Sequence, residues 1–185
     1  CRYCDFHSQR YEAALADRLV EALAGEWTQV LRRHGLSALR PATIYIGGGT
    51  PSTLSPVQWQ HLLALIARDF GNDTEREWTV ECNPESFDEH VATLWASAGV
   101  SRLSLGVQTL DDRLLRFLGR PHTAARALEV LASPALTPFR SVGVDIMYGL
   151  PGQPASVLER TLRQVLATGV VSHVSAYELT IAPAT

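Results

Sequence analysis

Two thiols stand close together in the stretch CRYCDF, at Cys1 and Cys4. A Cys-x-x-Cys pair can hold a metal or an iron-sulfur cluster, or close into a redox disulfide, yet two thiols do not complete a metal site. A zinc site would need a second such pair or a pair of histidines, and His7 and His122 are too isolated in sequence to supply it. From these residues alone, cluster, zinc and redox chemistry all stay open. The third cysteine, Cys82, follows Glu81 in a β-like stretch, so strand alternation turns it toward a core, and it is not counted as a ligand.

A second group of residues points to ligand binding. GGGTP, from Gly47 to Pro51, follows an apolar β-like run. Consecutive glycines let backbone approach a ligand and present N–H groups to an anion or carboxylate, although a tight strand-to-helix turn would use the same residues. No lysine follows, so this is not a phosphate-binding P-loop, and the spacing is not the dinucleotide fingerprint. Glu81, Gln108, Arg120 and Asp145 recur at or near the ends of later β-like runs. Singly, each could be a rim salt bridge or a backbone tie. Together they make a polar ring suited to a ligand carrying both amine and carboxylate, Arg120 for the carboxylate and the two acids for ammonium or ribose hydroxyls.

The elements that must position these residues alternate along the chain. Tyr11 to about Arg33 has helical spacing, with Leu15, Leu19, Ala22, Leu23, Trp27, Val30 and Leu31 expected on one face. Thr43 to Ile46 reads as a strand running into the glycine turn. Ser55 to Asp69 is helical, with Ser55 as N-cap and Pro56 in the first turn. EWTVECNP, SRLSLGVQ, RSVGVDIMYGLP and HVSAYEL are further strands. The helical segments between them run over Phe87–Ser97, Asp111–Leu118, Thr123–Leu131 and Ala155–Ala167. Such alternation predicts an α/β fold with a parallel sheet, open or closed into a barrel, whose strand C-termini and following loops form one functional rim. Trp27, Trp59, Trp78 and Trp95 fall where packing is expected.

Composition narrows the class. The 185 residues suffice for one sizeable core, 46% are apolar and 19% charged, and no apolar run approaches the roughly 18 residues of a membrane span. With no signal-peptide pattern, the expected location is cytoplasmic. The net charge of -3, with all 16 basic residues arginine, leaves no basic footprint for nucleic acid. Three cysteines are too few and too uneven for a secreted disulfide framework.

Taken together, the motifs resemble the radical S-adenosylmethionine superfamily, and within it the family of oxygen-independent coproporphyrinogen III oxidases and HemW-type heme chaperones. CRYCDF looks like the last two thirds of that family's CxxxCxxC cluster loop and IYIGGGTPS like its glycine motif. VECNPES, SRLSLGVQTLDDRLLRFLGRPH, VGVDIMYGLPGQ and SAYELTIAP follow in the family's order. The resemblance implies a partial (β/α)6 TIM-like barrel of the radical SAM type. It would hold a 4Fe-4S cluster by three thiolates, one iron being left for the amine and carboxylate of S-adenosylmethionine. Cys1 and Cys4 would be two of the cluster ligands, the remaining cysteine lying upstream. On this resemblance residues 1–185 are a radical SAM core domain trimmed at both ends, without the first strand and without the family's C-terminal domain, and are expected to hold the cluster poorly unaided.

Carried over motif by motif, Tyr3 would offer backbone to the adenine, and Gly48, Gly49 and Thr50 would approach the methionine portion. Glu81, Gln108, Arg120 and Asp145 match further S-adenosylmethionine-contacting positions, some of which serve a second cosubstrate in the oxidase branch; Glu178 falls near another. No catalytic side chain is assigned. The oxidase branch carries an additional cysteine where this chain has Phe6, after Asp5, which favours the heme-chaperone branch over the decarboxylating oxidase. The implied partners are heme or a porphyrinogen, an electron donor such as a flavodoxin-like protein, and heme-accepting proteins.

Overall fold

The computed structural model describes residues 3–4, 10–36, 40–71, 73 and 75–180. Helix α1 (Ala13–His34) precedes strand β1 (Thr43–Ile46). Then follow α2 (Pro56–Phe70), β2 (Glu77–Cys82), α3 (Glu89–Ala98), β3 (Arg102–Gln108), α4 (Asp112–Leu118), α5 (Ala124–Leu131), β4 (Ser141–Tyr148), α6 (Ala155–Ala167) and β5 (Val171–Glu178). The five strands lie side by side in chain order, and all pair in parallel. Each therefore needs a crossover, and the helices supply it.

Local chemistry starts these helices where the sequence predicts. Ser55 accepts the Gln58 N–H while the Gln58 side chain accepts the Ser55 N–H, a complete capping box ahead of Pro56. Asp88, Asp111 and Thr123 cap α3, α4 and α5 through their side-chain oxygens. The helix expected from Phe87 begins two residues later because Asp88 takes the N-cap.

Strand alternation separates two faces. Trp78, Val80 and Cys82 of β2, Leu103, Leu105 and Val107 of β3, and Val142, Val144 and Ile146 of β4 join Trp59, Leu63, Trp95, Val130 and Val165 from the helices in one buried core. Trp59 and Trp95 meet edge-to-face, with ring centroids 5.1 Å apart. Cys82 lies inside this core, where burial pushes its thiol up to about 12. The alternate residues, among them Glu81, Ser104, Gly106 and Asp145, face away from the helices.

Helix α1 departs from expectation. Ala16 and Val20 are its buried residues, whereas Leu19 and Leu23 are 55% and 41% exposed. The helix rests on α2, and its line of contact runs through Ala16, Val20 and the half-buried Trp27. The Trp27 indole packs edge-on to Phe70 at 5.0 Å and donates to Asp69 Oδ2 at 2.7 Å. Leucines and small residues alternate so closely here that two neighbouring stripes share the helical period: of the expected face Leu15, Trp27 and Leu31 are half-buried, whereas at Leu19 and Leu23 the contact passes instead to Ala16 and Val20.

Because Trp95 is fully buried against Trp59, Trp95→Ala is expected to lower unfolding free energy by about 3–5 kcal/mol, read from the urea midpoint.

Candidate functional site

Parallel pairing brings the strand C-termini and the turns after them to one rim. At β1 the chain turns through Gly47, Gly48 and Gly49. A Cβ on Gly47 would stand 2.7 Å from Tyr45 Cε1 and 2.8 Å from Glu81 Cδ, so a side chain there would push the Tyr45–Glu81 pair aside. Gly48 and Gly49 adopt φ of 86° and 53° with open space where a side chain would be. Their backbone is thus free to be approached by a ligand. Glu81, at the end of β2, is fixed from both oxygens: Tyr45 donates its hydroxyl to Oε1 at 2.6 Å, and the Gly48 N–H donates to Oε2 at 3.1 Å. Burial, and then the Glu81 carboxylate, raises the Tyr45 phenol well above its ordinary range, so it remains a donor.

Asp145 stands on β4, opposite Ser175 of β5. Burial pushes its carboxyl up, reinforced by the Glu81 charge and opposed by hydrogen bonds from Ser104 (3.2 Å) and Ser175 and by the Arg102 guanidinium. Two carboxylates therefore share the rim face with a net need for positive or hydrogen-bond-donating groups, which the ammonium and ribose hydroxyls of a nucleoside–amino acid ligand would meet.

Asn83, just beyond β2, joins the glycine turn to the far side of the rim. Its Nδ2 donates to Thr50 Oγ1 at 3.1 Å, and its Oδ1 accepts from Arg120 Nη2 at 2.6 Å. Arg120 Nη2 also donates to the Gly106 carbonyl at 3.2 Å and lies 3.5 Å from Glu85 Oε1. The side chain is only 5% exposed. The guanidinium expected to grip a ligand carboxylate is thus already tied into the protein through Nη2. Gly106 is required by the same crowding, since a Cβ there would strike Asn83 Oδ1 and come within 3.3 Å of Arg120 Nη2.

Glu85 takes His122 on its other oxygen: Nδ1 lies 2.8 Å from Oε2, and Nε2 lies 3.3 Å from the Val107 carbonyl. Both ring nitrogens of His122 thus face protein oxygens, one from the Glu85 carboxylate and one from the β3 backbone. Burial alone would raise the Glu85 carboxyl; the His122 hydrogen bond and the Arg120 charge outweigh it and hold it below the usual range.

Gln108 ends β3 with φ of 64°, the one described non-glycine residue in the left-handed region, and is buried. Tyr3 packs at the edge of a small cluster of Leu114, Leu118, Met147, Leu150 and Val157, and its phenol, raised by burial, shares a hydrogen bond with Arg120. Cys4 beside it is a half-buried free thiol. Cys1 lies outside the described residues, as do Asp5, Phe6 and His7. Among the described residues no group of three or more His, Cys, Asp or Glu is placed to hold a metal. The structure thus gathers Gly48, Gly49, Thr50, Glu81, Gln108, Arg120 and Asp145 on one rim, and Tyr3, with Cys4 next to it in the chain, reaches that rim through Arg120. Asn83, at a strand end the sequence already puts on the rim, and Glu85 and His122, which it does not, are the polar links between them; none of the three is among the expected ligand contacts. Their positions in VECNPES and GRPH were visible, but nothing local marks them as partners.

Comparison with known proteins identifies the family and the fold. The model of the Radical SAM superfamily matches residues 1–165. The chain is 34% identical to "Heme chaperone HemW" of Bacillus subtilis, over 100% of this chain and 48% of that protein. It is 35% identical to "Radical S-adenosyl methionine domain-containing protein 1, mitochondrial" of Mus musculus, over 98% of this chain and 40% of that protein. The chain therefore spans about half the length of the curated relatives it matches. Among solved structures, coproporphyrinogen III oxidase (HemN) from Escherichia coli, a radical SAM enzyme, superposes with a TM-score of 0.87 at 25% identity. That match covers 99% of this chain and 42% of the other. Methylornithine synthase (PylB) shares the fold, with a TM-score of 0.64 at 15% identity, over 100% of this chain and 51% of that one.

Two predictions test the site as built. Gly106→Ala is expected to cost about 1–3 kcal/mol of stability by overpacking against Asn83 and Arg120, measured by urea denaturation. Glu85, whose folded pKa is depressed, contributes stability that is present above the unfolded carboxylate value of about 4.3 and is lost as pH falls through its lower folded value. Urea midpoints of the wild type should accordingly fall more steeply with acidification below that pH than those of Glu85→Gln, which should be less stable at neutral pH.

Proposed function

Since the chain belongs to the radical SAM superfamily, we propose that this rim binds S-adenosylmethionine beside a 4Fe-4S cluster in a heme-trafficking protein of the HemW type. The family implies both cofactors, and the donor chemistry suits them: a free thiol at Cys4, open glycine backbone at Gly48 and Gly49, and anchored carboxylates at Glu81 and Asp145. The observation that carries the reading is the convergence of these residues on one rim in a chain alignable over its whole length with HemW heme chaperones.

In this reading Cys1 and Cys4 ligate the cluster together with an upstream cysteine. The backbone of Tyr3 meets the adenine, and Gly48, Gly49 and Thr50 receive the methionine portion. Glu81 and Asp145 accept hydrogen bonds from the ligand's ammonium and hydroxyls, and Gln108 and Arg120 close the opposite side. When bound, the cluster and S-adenosylmethionine supply one-electron reductive cleavage of the sulfonium. The protein's own part is to orient the ligand and keep its charged groups on fixed partners instead of water. No described helix is long and apolar enough to cross a membrane. In this reading the protein acts on heme and protein acceptors in the cytoplasm and takes its electron from a flavodoxin-like donor.

The second reading, oxygen-independent coproporphyrinogen III oxidase, is favoured by the likeness to HemN and opposed by Phe6, where the oxidase branch carries a further cysteine.

Anaerobic reconstitution of the full-length protein, followed by reduction with S-adenosylmethionine present, is expected to give a 4Fe-4S absorption band and 5'-deoxyadenosine. The same sample should bind heme without decarboxylating coproporphyrinogen III. Protoporphyrinogen formation would select the oxidase instead, and failure to assemble any cluster would overturn both.

A further inference from the structure

The β3–β4 pairing slips just where the rim begins. Leu105 is opposite Val144, yet Gln108 is opposite Ile146, so β3 carries one extra residue across this step. Such a bulge leaves backbone groups without ladder partners and re-aims the side chain beyond it. At this step the carbonyls of Gly106 and Val107 are taken by side chains. Arg120 Nη2 takes the first at 3.2 Å and His122 Nε2 the second at 3.3 Å. The Val107 carbonyl also accepts the Thr109 N–H at 2.8 Å. This three-residue turn, closed around a centre with φ of 64°, is a γ-turn of the strained, positive-φ kind. Its centre is glutamine, which has no conformational ease there, and its Nε2 lies over Gly106, 3.0 Å from where a Cβ would stand.

A strained residue persists only when its surroundings over-determine it. We propose that the Glu85–His122 pair is a positioning device: His122, with no side-chain exposure and anchored by Glu85, clamps the Val107 carbonyl and holds Gln108 in its left-handed turn facing the ligand site. Arg120 pins the preceding carbonyl, so the segment Arg120-Pro121-His122 supports the bulge from one side. His122 and Glu85 are positioning residues and touch no ligand. The ligand side of this inference rests on the reading of the rim as an S-adenosylmethionine site; the clamp itself rests on the bulge geometry.

The test uses the full-length protein with His122→Leu, Gln108→Gly and the double variant. In metal-free protein, hydrogen–deuterium exchange at the Thr109 amide should speed up at least tenfold in His122→Leu. It should return to near the wild-type rate in the double variant, because glycine occupies the positive-φ centre without strain. In cluster-loaded protein, S-adenosylmethionine affinity measured by equilibrium dialysis should fall about tenfold in His122→Leu. Unchanged exchange at Thr109, or exchange equally fast with and without glycine at position 108, overturns the clamp. Should His122→Leu fail to fold, Glu85→Gln carries the same comparison with an expected threefold change, and no change there overturns it. A wild type that does not bind S-adenosylmethionine defeats the reading of the rim, while the exchange data still decide the clamp.

Discussion

Parallel strands laid in chain order oblige every strand-to-helix turn to emerge on the same side, and everything functional in this molecule depends on that constraint. A hairpin anywhere in the sheet would send one turn to the opposite edge. With five parallel strands, the glycine turn after β1, Asn83 and Glu85 after β2, Gln108 at the end of β3, Asp145 on β4 and Ser175 on β5 fall on one face or rim with no further device. The main core stabilises this arrangement by packing Trp59, Trp78, Trp95 and their aliphatic neighbours on the helix side. The other face carries Glu81, Ser104 and Asp145.

Within that frame the rim is organised by a chain of side chains running from Thr50 through Asn83 and Arg120 to Glu85 and His122. Each link removes a buried polar group's need for water, and each ties together segments distant in sequence. Two glycines are the steric counterpart: a Cβ on Gly106 would displace Asn83 of this network, and one on Gly47 would displace the separate Tyr45–Glu81 pair. The open glycines at 48 and 49 have the opposite character, bare backbone facing free space. The site is thus rigid around its edge and open where a ligand would enter.

Much of this was legible in the sequence because its signals are local. Ser55 with Pro56, Asp111 and Thr123 announce helix starts, and Val/Ile-rich runs ending in glycine or polar residues announce strands and their turns. The buried fate of Cys82 follows from alternation beside Glu81. What was not legible is pairwise and long-range. Nothing near His122 in sequence says that a carboxylate from Glu85 and a carbonyl from Val107 await it, so it reads as an isolated histidine. Arg120 reads as a free guanidinium suited to a ligand, and only the folded chain shows Nη2 committed to Asn83 and Gly106. On α1, periodicity finds a helix but does not choose between adjacent stripes, and the exposed Leu19 and Leu23 mark the one that α2 does not cover.

The central claim is that the rim over Gly48 and Gly49, between Glu81 and Asp145, receives S-adenosylmethionine. A crystal structure of the full-length, cluster-loaded protein grown with that cosubstrate tests it most directly. The account predicts electron density running from the Cys4 segment across Gly48–Thr50, with the ligand's ammonium or ribose hydroxyls on the two carboxylates. Cosubstrate bound elsewhere, with Glu81 still satisfied by Tyr45 and Gly48 alone, would contradict it.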